Sequence, residues 1–311
     1  MKQYFLVGLL ALSTPTYAQE RMSSEECVLS AQAVETLLGR PEGGDRGAAE
    51  ADEEGWCVVH DLTLITDPRQ SYRLDTLRWR AGGIERLIED GLPPRSIEVI
   101  GKGGAVVAQT GDPVMDYLIG LLASTAESGF GFSVRWDGVQ NSLMIEDLYV
   151  DISAGNRIEA SARIDNVDLT DAQTIQTSFG SMGLSDLLIT SDFSGWFEAY
   201  VALPLGMEVL ESDGPPPEAQ VALLKTQAAD FLSEFPDTVL PDASEQALVE
   251  FINELPEPRG ALRFQLDADP PIGAARMAPF ALLGGEPTPE QIIDLGLEGV
   301  DLFVTWTPTG D

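Results

Sequence analysis

Apolar residues recur along this chain at two spacings, and the spacing switches several times. Ala31, Val34, Leu37 and Leu38 stand three and four apart, which predicts a short helix over 26–39 that Gly39 and Pro41 terminate. From Trp56 the period becomes two. Val58, His60, Leu62 and Leu64 alternate with Val59, Asp61, Thr63 and Ile65, and Asp67-Pro68 closes that strand. Tyr72 to Trp79 is its expected hairpin partner. Ile97 and Val99 mark a third short strand after the turn Gly91-Leu92-Pro93-Pro94. Asp112-Pro113 then opens a helix, with Asp as the cap and Pro at the first helical position. Val114, Leu118, Leu121 and Leu122 form its stripe, and Gly129 ends it.

The clearest alternation lies in the middle. Phe130, Phe132, Val134 and Trp136 alternate with Gly131, Ser133, Arg135 and Asp137, and Leu148, Val150 and Ile152 keep the rhythm. Ile158, Ala160, Ala162 and Ile164 alternate with Arg157, Glu159, Ser161 and Arg163. The phase slips at Asp165-Asn166 before Val167 and Leu169, which predicts a β-bulge. Thr170 to Gly183 reads as a linking helix, and Phe197, Ala199, Val201 and Leu203 as a further strand. Alternation of this kind puts one face on a core and the other in water, as antiparallel sheets do.

Two amphipathic helices follow the acidic, Pro-rich stretch 211–217. Val221, Leu224, Ala228, Phe231, Leu232 and Phe235 stripe the first, and Ala247, Leu248, Phe251, Ile252 and Leu255 the second. Pro236 and Pro241 bracket the link, so a helix hairpin near 217–255 is expected. Leu262, Phe264 and Leu266 return the chain to strand, Thr288-Pro289-Glu290 caps a short helix, and Val300, Leu302, Val304 and Trp306 form the last strand. The expected fold class is α+β: a large, mostly antiparallel, one-faced β-sheet with amphipathic helices packed on it. The strand at 261–267 needs the earlier sheet for partners, so 19–311 is expected to be a single domain.

Residues 1–18 have a different character. Lys2 precedes the apolar run 5–12, and small residues lead to Ala18, the arrangement of a signal peptide cleaved near Ala18. The run is too short for a transmembrane anchor, which needs about 20 apolar residues. A periplasmic or secreted location follows. In such a compartment Cys27 and Cys57, the two cysteines of the chain, are expected to bridge and staple the N-terminal part, 19–67. A loop of that length is worth roughly 3.5 kcal/mol in the chain-entropy relation.

Composition narrows the partners. The chain has 311 residues, 44% hydrophobic, enough for a sizeable core, so disorder throughout is excluded. Its 18 Lys and Arg stand against 51 Asp and Glu, a net charge of −33. Such a chain repels phosphate backbones and anionic membrane surfaces, so neither nucleic acid nor stable membrane insertion is expected.

The inventory of catalytic groups is thin. His60, the one histidine, would have to serve any Ser-His-Asp triad. It shares its strand face with Val58, Leu62 and Leu64 and reads as a packed core residue. Ser181 lacks the glycine of a nucleophile elbow two positions before it. Gly101-Lys102-Gly103-Gly104 lacks the Walker spacing and reads as a hairpin turn. Asp165, Asp168 and Asp171 are the best carboxylate cluster for a hard cation, yet they lack the glycine and terminal Glu of an EF-hand loop and read as a solvated strand end. Asp267 and Asp269 read the same way. The five tryptophans mostly fall in phase with apolar strand faces and read as core. No catalytic, cofactor or metal residues are therefore assigned, and no cofactor is expected.

Exported proteins with long alternating sheets and few catalytic groups often carry lipid-like cargo. The expectation is a non-enzymatic protein that binds an apolar, lipid-like ligand or an envelope protein partner. The alternatives are a carboxylate-dependent hydrolase and a structural envelope scaffold.

Overall fold

The computed structural model describes residues 21–37, 47–67, 70–108, 110–124, 128–153, 156–211, 213–274, 276, 278 and 296–309. The expected signal peptide, the stop at Gly39 and Pro41, and the helix capped at 288–290 lie outside them.

Ten strands form one antiparallel sheet in which every strand pairs with its neighbours in sequence. They are β1 (Glu50–Ala51), β2 (Cys57–Asp67), β3 (Gln70–Gly82), β4 (Ser96–Ala108), β5 (Ser128–Asp137), β6 (Ser142–Ser153), β7 (Asn156–Asp165), β8 (Gly183–Ser194), β9 (Arg259–Gly273) and β10 (Val300–Pro308). Helices enter as a leader or as insertions between strands. These are α1 (Ser24–Leu37), α2 (Glu85–Asp90), α3 (Pro113–Ser124), α4 (Ala172–Ser178), α5 (Leu203–Val209), α6 (Pro217–Leu232) and α7 (Asp242–Glu254). The fold is α+β with a large antiparallel sheet, as the alternation predicts.

Register organises the sheet into rows. Residues directly opposite each other share a face, because side chains alternate along a strand. One row runs Val99, Phe132, Leu148, Ala160, Ile189 and Phe264 across β4–β9. It extends to Cys57 and Trp79 at one flank and to Val304 at the other.

Two apolar clusters sit on these rows, one at each flank. At the first, Met22, Cys27, Ile84 and Leu87 pack with Cys57 and Ala81. The disulfide Cys27–Cys57 joins α1 to β2, as expected of a lone pair of cysteines. Trp79 Nε1 donates to Ser30 Oγ at 3.1 Å, which ties α1 to β3. At the second, Phe193, Ala247, Val304 and Trp306 are buried, with Phe197, Phe251 and Phe264 against them. There α7 also protects an edge. Ser244 Oγ accepts the Val304 N–H at 3.0 Å and the Val239 carbonyl accepts that of Leu302 at 2.8 Å, so the free side of β10 is covered.

Several local expectations fail for physical reasons. Gly101 to Gly104 lie inside β4 and not in a turn. The Phe130 ring edge sits 2.4 Å from where a Gly101 Cβ would stand, so the glycine makes room for a ring of the next strand. The slip at Asp165-Asn166 is no bulge but the end of β7, where Asn166 turns to φ 62°. Register shifts fall elsewhere, among them those between Ser133 and Val134 and between Arg163 and Ile164.

The segment 197–203 is helical, not a strand. A π-helical turn, Glu198–Ala202, leads into α5. The Leu203 N–H donates to Glu198 O five residues back, and Pro204 has no N–H to continue the ordinary ladder. His60 is exposed opposite Thr76, and so is not a packed core residue.

Candidate functional site

The residues that set this protein apart are the apolar ones in the middle of the sheet. Among the described residues, no apolar side chain of β5, β6 or β7 is fully buried. Phe130, Val150 and Ile158 form one row there, and Val134, Ile145, Ala162 and Leu187 another, on either side of the Phe132–Leu148–Ala160 row. Leu148 is 40% exposed and Val150 43%, although both stand on a central strand of a ten-stranded sheet. The expected contrast of a dry and a wet face is weak here. In β5 every residue except Gly131 is half-buried, whichever way it points.

Both flanks stop short of this region. The α1–α2 side ends at Trp136, whose indole donates to the Val167 carbonyl at 2.9 Å and lies 5.3 Å beneath the Arg86 guanidinium. The opposite flank ends at the aromatic group around Phe193, where Trp196 stacks at 5.1 Å and Phe251 packs at 5.3 Å. Between them β5 to β8 offer an apolar strip roughly 15 Å wide at about 4.8 Å per strand. From Phe130 to Trp136 it runs roughly 20 Å at about 3.4 Å per residue. One acyl chain spans half of a bilayer core, about 15 Å. The strip has the dimensions of an acyl chain or two.

The alternate positions carry paired charge. Arg157 lies 3.9 Å over the Tyr149 ring and meets Glu159 at 2.8 Å. Arg163 meets Asp165 at 2.8 Å, and Arg135 meets Glu146 at 2.8 Å. A cavity of about 260 Å³ opens there, lined by Arg157, Glu159, Thr190, Asp192, Arg263 and Thr305 among others. Its Glu159 is engaged by Arg157, so this cavity holds no free pair of facing carboxylates for acid-base work.

The carboxylates singled out from sequence are dispersed among structural tasks. Asp165 pairs with Arg163, Asp168 accepts the Thr170 N–H at 2.9 Å, and Asp171 caps α4 while its own N–H donates in return to Thr174 Oγ1. Asp267 accepts from Gln265 at 3.0 Å. Among the described residues, no three His, Cys, Asp or Glu side chains converge to hold a metal.

The shifted carboxylates point the same way. Backbone N–H donors at Trp56 hold Asp52 below the ordinary aspartate range, those at Gln140 and Val139 do so for Asp137, and those at Thr174 and Gln173 for Asp171. Partial burial pushes Glu198 up, but the Arg259 guanidinium 2.5 Å away and a backbone N–H donor together outweigh it, and the net shift is downward. A general acid needs a shift in the other direction.

The alternation identifies the apolar residues of β5 and β7 and assigns them to a core face. The missed signal is the order of the elements. Strands β5 to β8 follow one another closely in the chain, and among the described residues the seven-residue α4 is the one helix between them, which leaves no long helix in that stretch to cover them. The sequence matches no protein-family model and no curated protein.

Proposed function

We propose that this is an exported, non-enzymatic protein that holds an apolar, lipid-like ligand along the apolar rows of β5–β8. In this reading the sheet is one-faced, α1–α2 and α7 wall the strip, and a hairpin of α6 and α7 stiffens the second wall. Lys225 Nζ donates to the Asn253 carbonyl at 2.8 Å, which links those two helices. Residues 1–18 act as a leader removed near Ala18. The single observation that supports the reading most is the exposure of Leu148 and Val150 at the centre of the sheet. A soluble protein leaves large apolar areas open chiefly where something binds.

Native mass spectrometry of the protein purified after export, without detergent, followed by solvent extraction, tests this. A reproducible lipid adduct is the expected result and identifies the ligand class. A mass matching the polypeptide alone in every preparation would overturn stable cargo binding.

A further inference from the structure

In a sheet whose strands all pair in sequence, even-numbered strands point one way. The chain segments that follow β4 and β8 therefore leave the sheet at the same end. Those two segments are α3, which leads into β5, and the π-helical turn with α5, which follows β8. They bracket the end of the β5–β8 strip.

Both are apolar and open. Tyr117 is 69% exposed on α3, and its neighbours Val114, Met115 and Leu118 are exposed too. In the second segment Tyr200 is 65% and Met207 76% exposed, together with Leu203 and Leu205. This is not a loose excursion. Trp196 and Phe197 anchor the π-helical turn in the aromatic cluster, and Glu198 pairs with Arg259. Asp112 Oδ1 accepts the N–H groups of Val114 and Met115, which fixes the start of α3. Neither segment contains a Lys or an Arg, and Asp112, Asp116, Glu208 and Glu211 flank the apolar side chains.

We infer that α3 and α5 together dock this end of the sheet on the surface of a zwitterionic lipid bilayer. The inference rests on the proposed ligand strip, for which this end would be the mouth. Exposed Leu, Met and Val bury into the acyl boundary, and Tyr117 and Tyr200 suit the headgroup level. The acids select the surface. They repel anionic headgroups and face the cationic ends of zwitterionic ones. Phe130, the first apolar residue of β5, lies on the strip at the end where α3 delivers the chain, so a lipid leaving the bilayer there meets the strip directly.

Flotation of the exported full chain with phosphatidylcholine vesicles, and with vesicles of phosphatidylcholine mixed with phosphatidylglycerol, provides the test. The unaltered protein should float with the first and at least several-fold less with the second. The variants Tyr117→Asp/Leu118→Asp and Leu203→Asp/Met207→Asp should each lose at least tenfold in partitioning while melting at the unaltered temperature. These changes lie on exposed residues, so flotation through any other part of the exported protein would persist in the variants and overturn the inference. Failure of the unaltered protein to float, preference for anionic vesicles, or self-association through these helices in place of flotation would overturn it as well. A lipid adduct found without flotation would sink the docking surface and leave the ligand strip standing.

Discussion

The indole N–H of Trp306 donates to Glu254 Oε1 at 3.1 Å, which ties β10 to the last turn of α7. The other oxygen of Glu254 accepts the Arg259 N–H at 3.3 Å, so one carboxylate joins the end of α7, the start of β9 and the edge strand. Trp306 is buried beneath Phe251 and Phe193, and losing its partner leaves an unsatisfied donor. Glu254→Ala should cost about 1–3 kcal/mol, read by denaturant unfolding. Glu254→Gln keeps an acceptor and should recover most of it. Equal losses in both variants would show that the latch acts through charge, not through the indole.

Like charges meet on the opposite side of the sheet. Asp186 stands directly across from Asp267, and Asp267 from Asp301, in register on three neighbouring strands. Arg163, opposite Asp186, compensates one end of that row. Like charges directly opposite destabilise a sheet by roughly 0.2–1 kcal/mol per pair. Asp267→Asn removes two such contacts and keeps an acceptor for Gln265. It should raise the melting temperature in dilute buffer. The gain should shrink in high salt, because screening already relieves the unaltered protein. An unchanged or lower melting temperature in dilute buffer would contradict this.

Asp171 sets a pH dependence that can be located. The N–H groups of Thr174 and Gln173 favour its ionised form, so its folded pKa lies below the unfolded one. The stability it contributes is complete above the ordinary aspartate range and is lost as pH falls through the lowered folded value. Asp171→Ala should therefore lower the melting temperature at neutral pH, with weaker hydrogen-exchange protection in α4. The difference between the two proteins should close in acid. A gap that persisted at acid pH would mean that the cap does not depend on charge.

The sheet was largely legible because alternation is a local property. Phe130 to Trp136, Ile158 to Ile164 and Val300 to Trp306 all lie in strands, and Asp112 caps α3 as its sequence indicates. Strand β8 was missed because its phase breaks at Ser185, where a register shift absorbs a residue between Leu184 and Asp186. The stretch 197–203 misleads for a related reason. Phe197, Ala199, Val201 and Leu203 alternate, yet Phe197 and Val201 are also four apart, and the packing of Phe197 against Phe193 and Phe251 goes with the helical turn. The candidate strip was legible as residues but not as a site. Alternation says which side chains share a face, whereas what covers that face depends on where α1 and α7 come to rest.

That distinction supplies a direct comparison. Phe193 is 6% exposed and touches Trp196, Phe197, Phe251 and Trp306. Truncating it to Ala opens a cavity in a packed cluster and should cost about 3–5 kcal/mol. Leu148 and Val150 already meet solvent, so little packing is lost when they become polar. Leu148→Ser/Val150→Ser should change stability by no more than about 1 kcal/mol. The same double variant interrupts two apolar rows at their centre and should reduce the lipid adduct by at least tenfold in native mass spectra. A large loss of stability would mean that these side chains serve a packed core. Unchanged stability with an unchanged adduct would place the ligand elsewhere on the molecule. Only a stable protein with a depleted adduct fits a strip of sheet kept open for a guest.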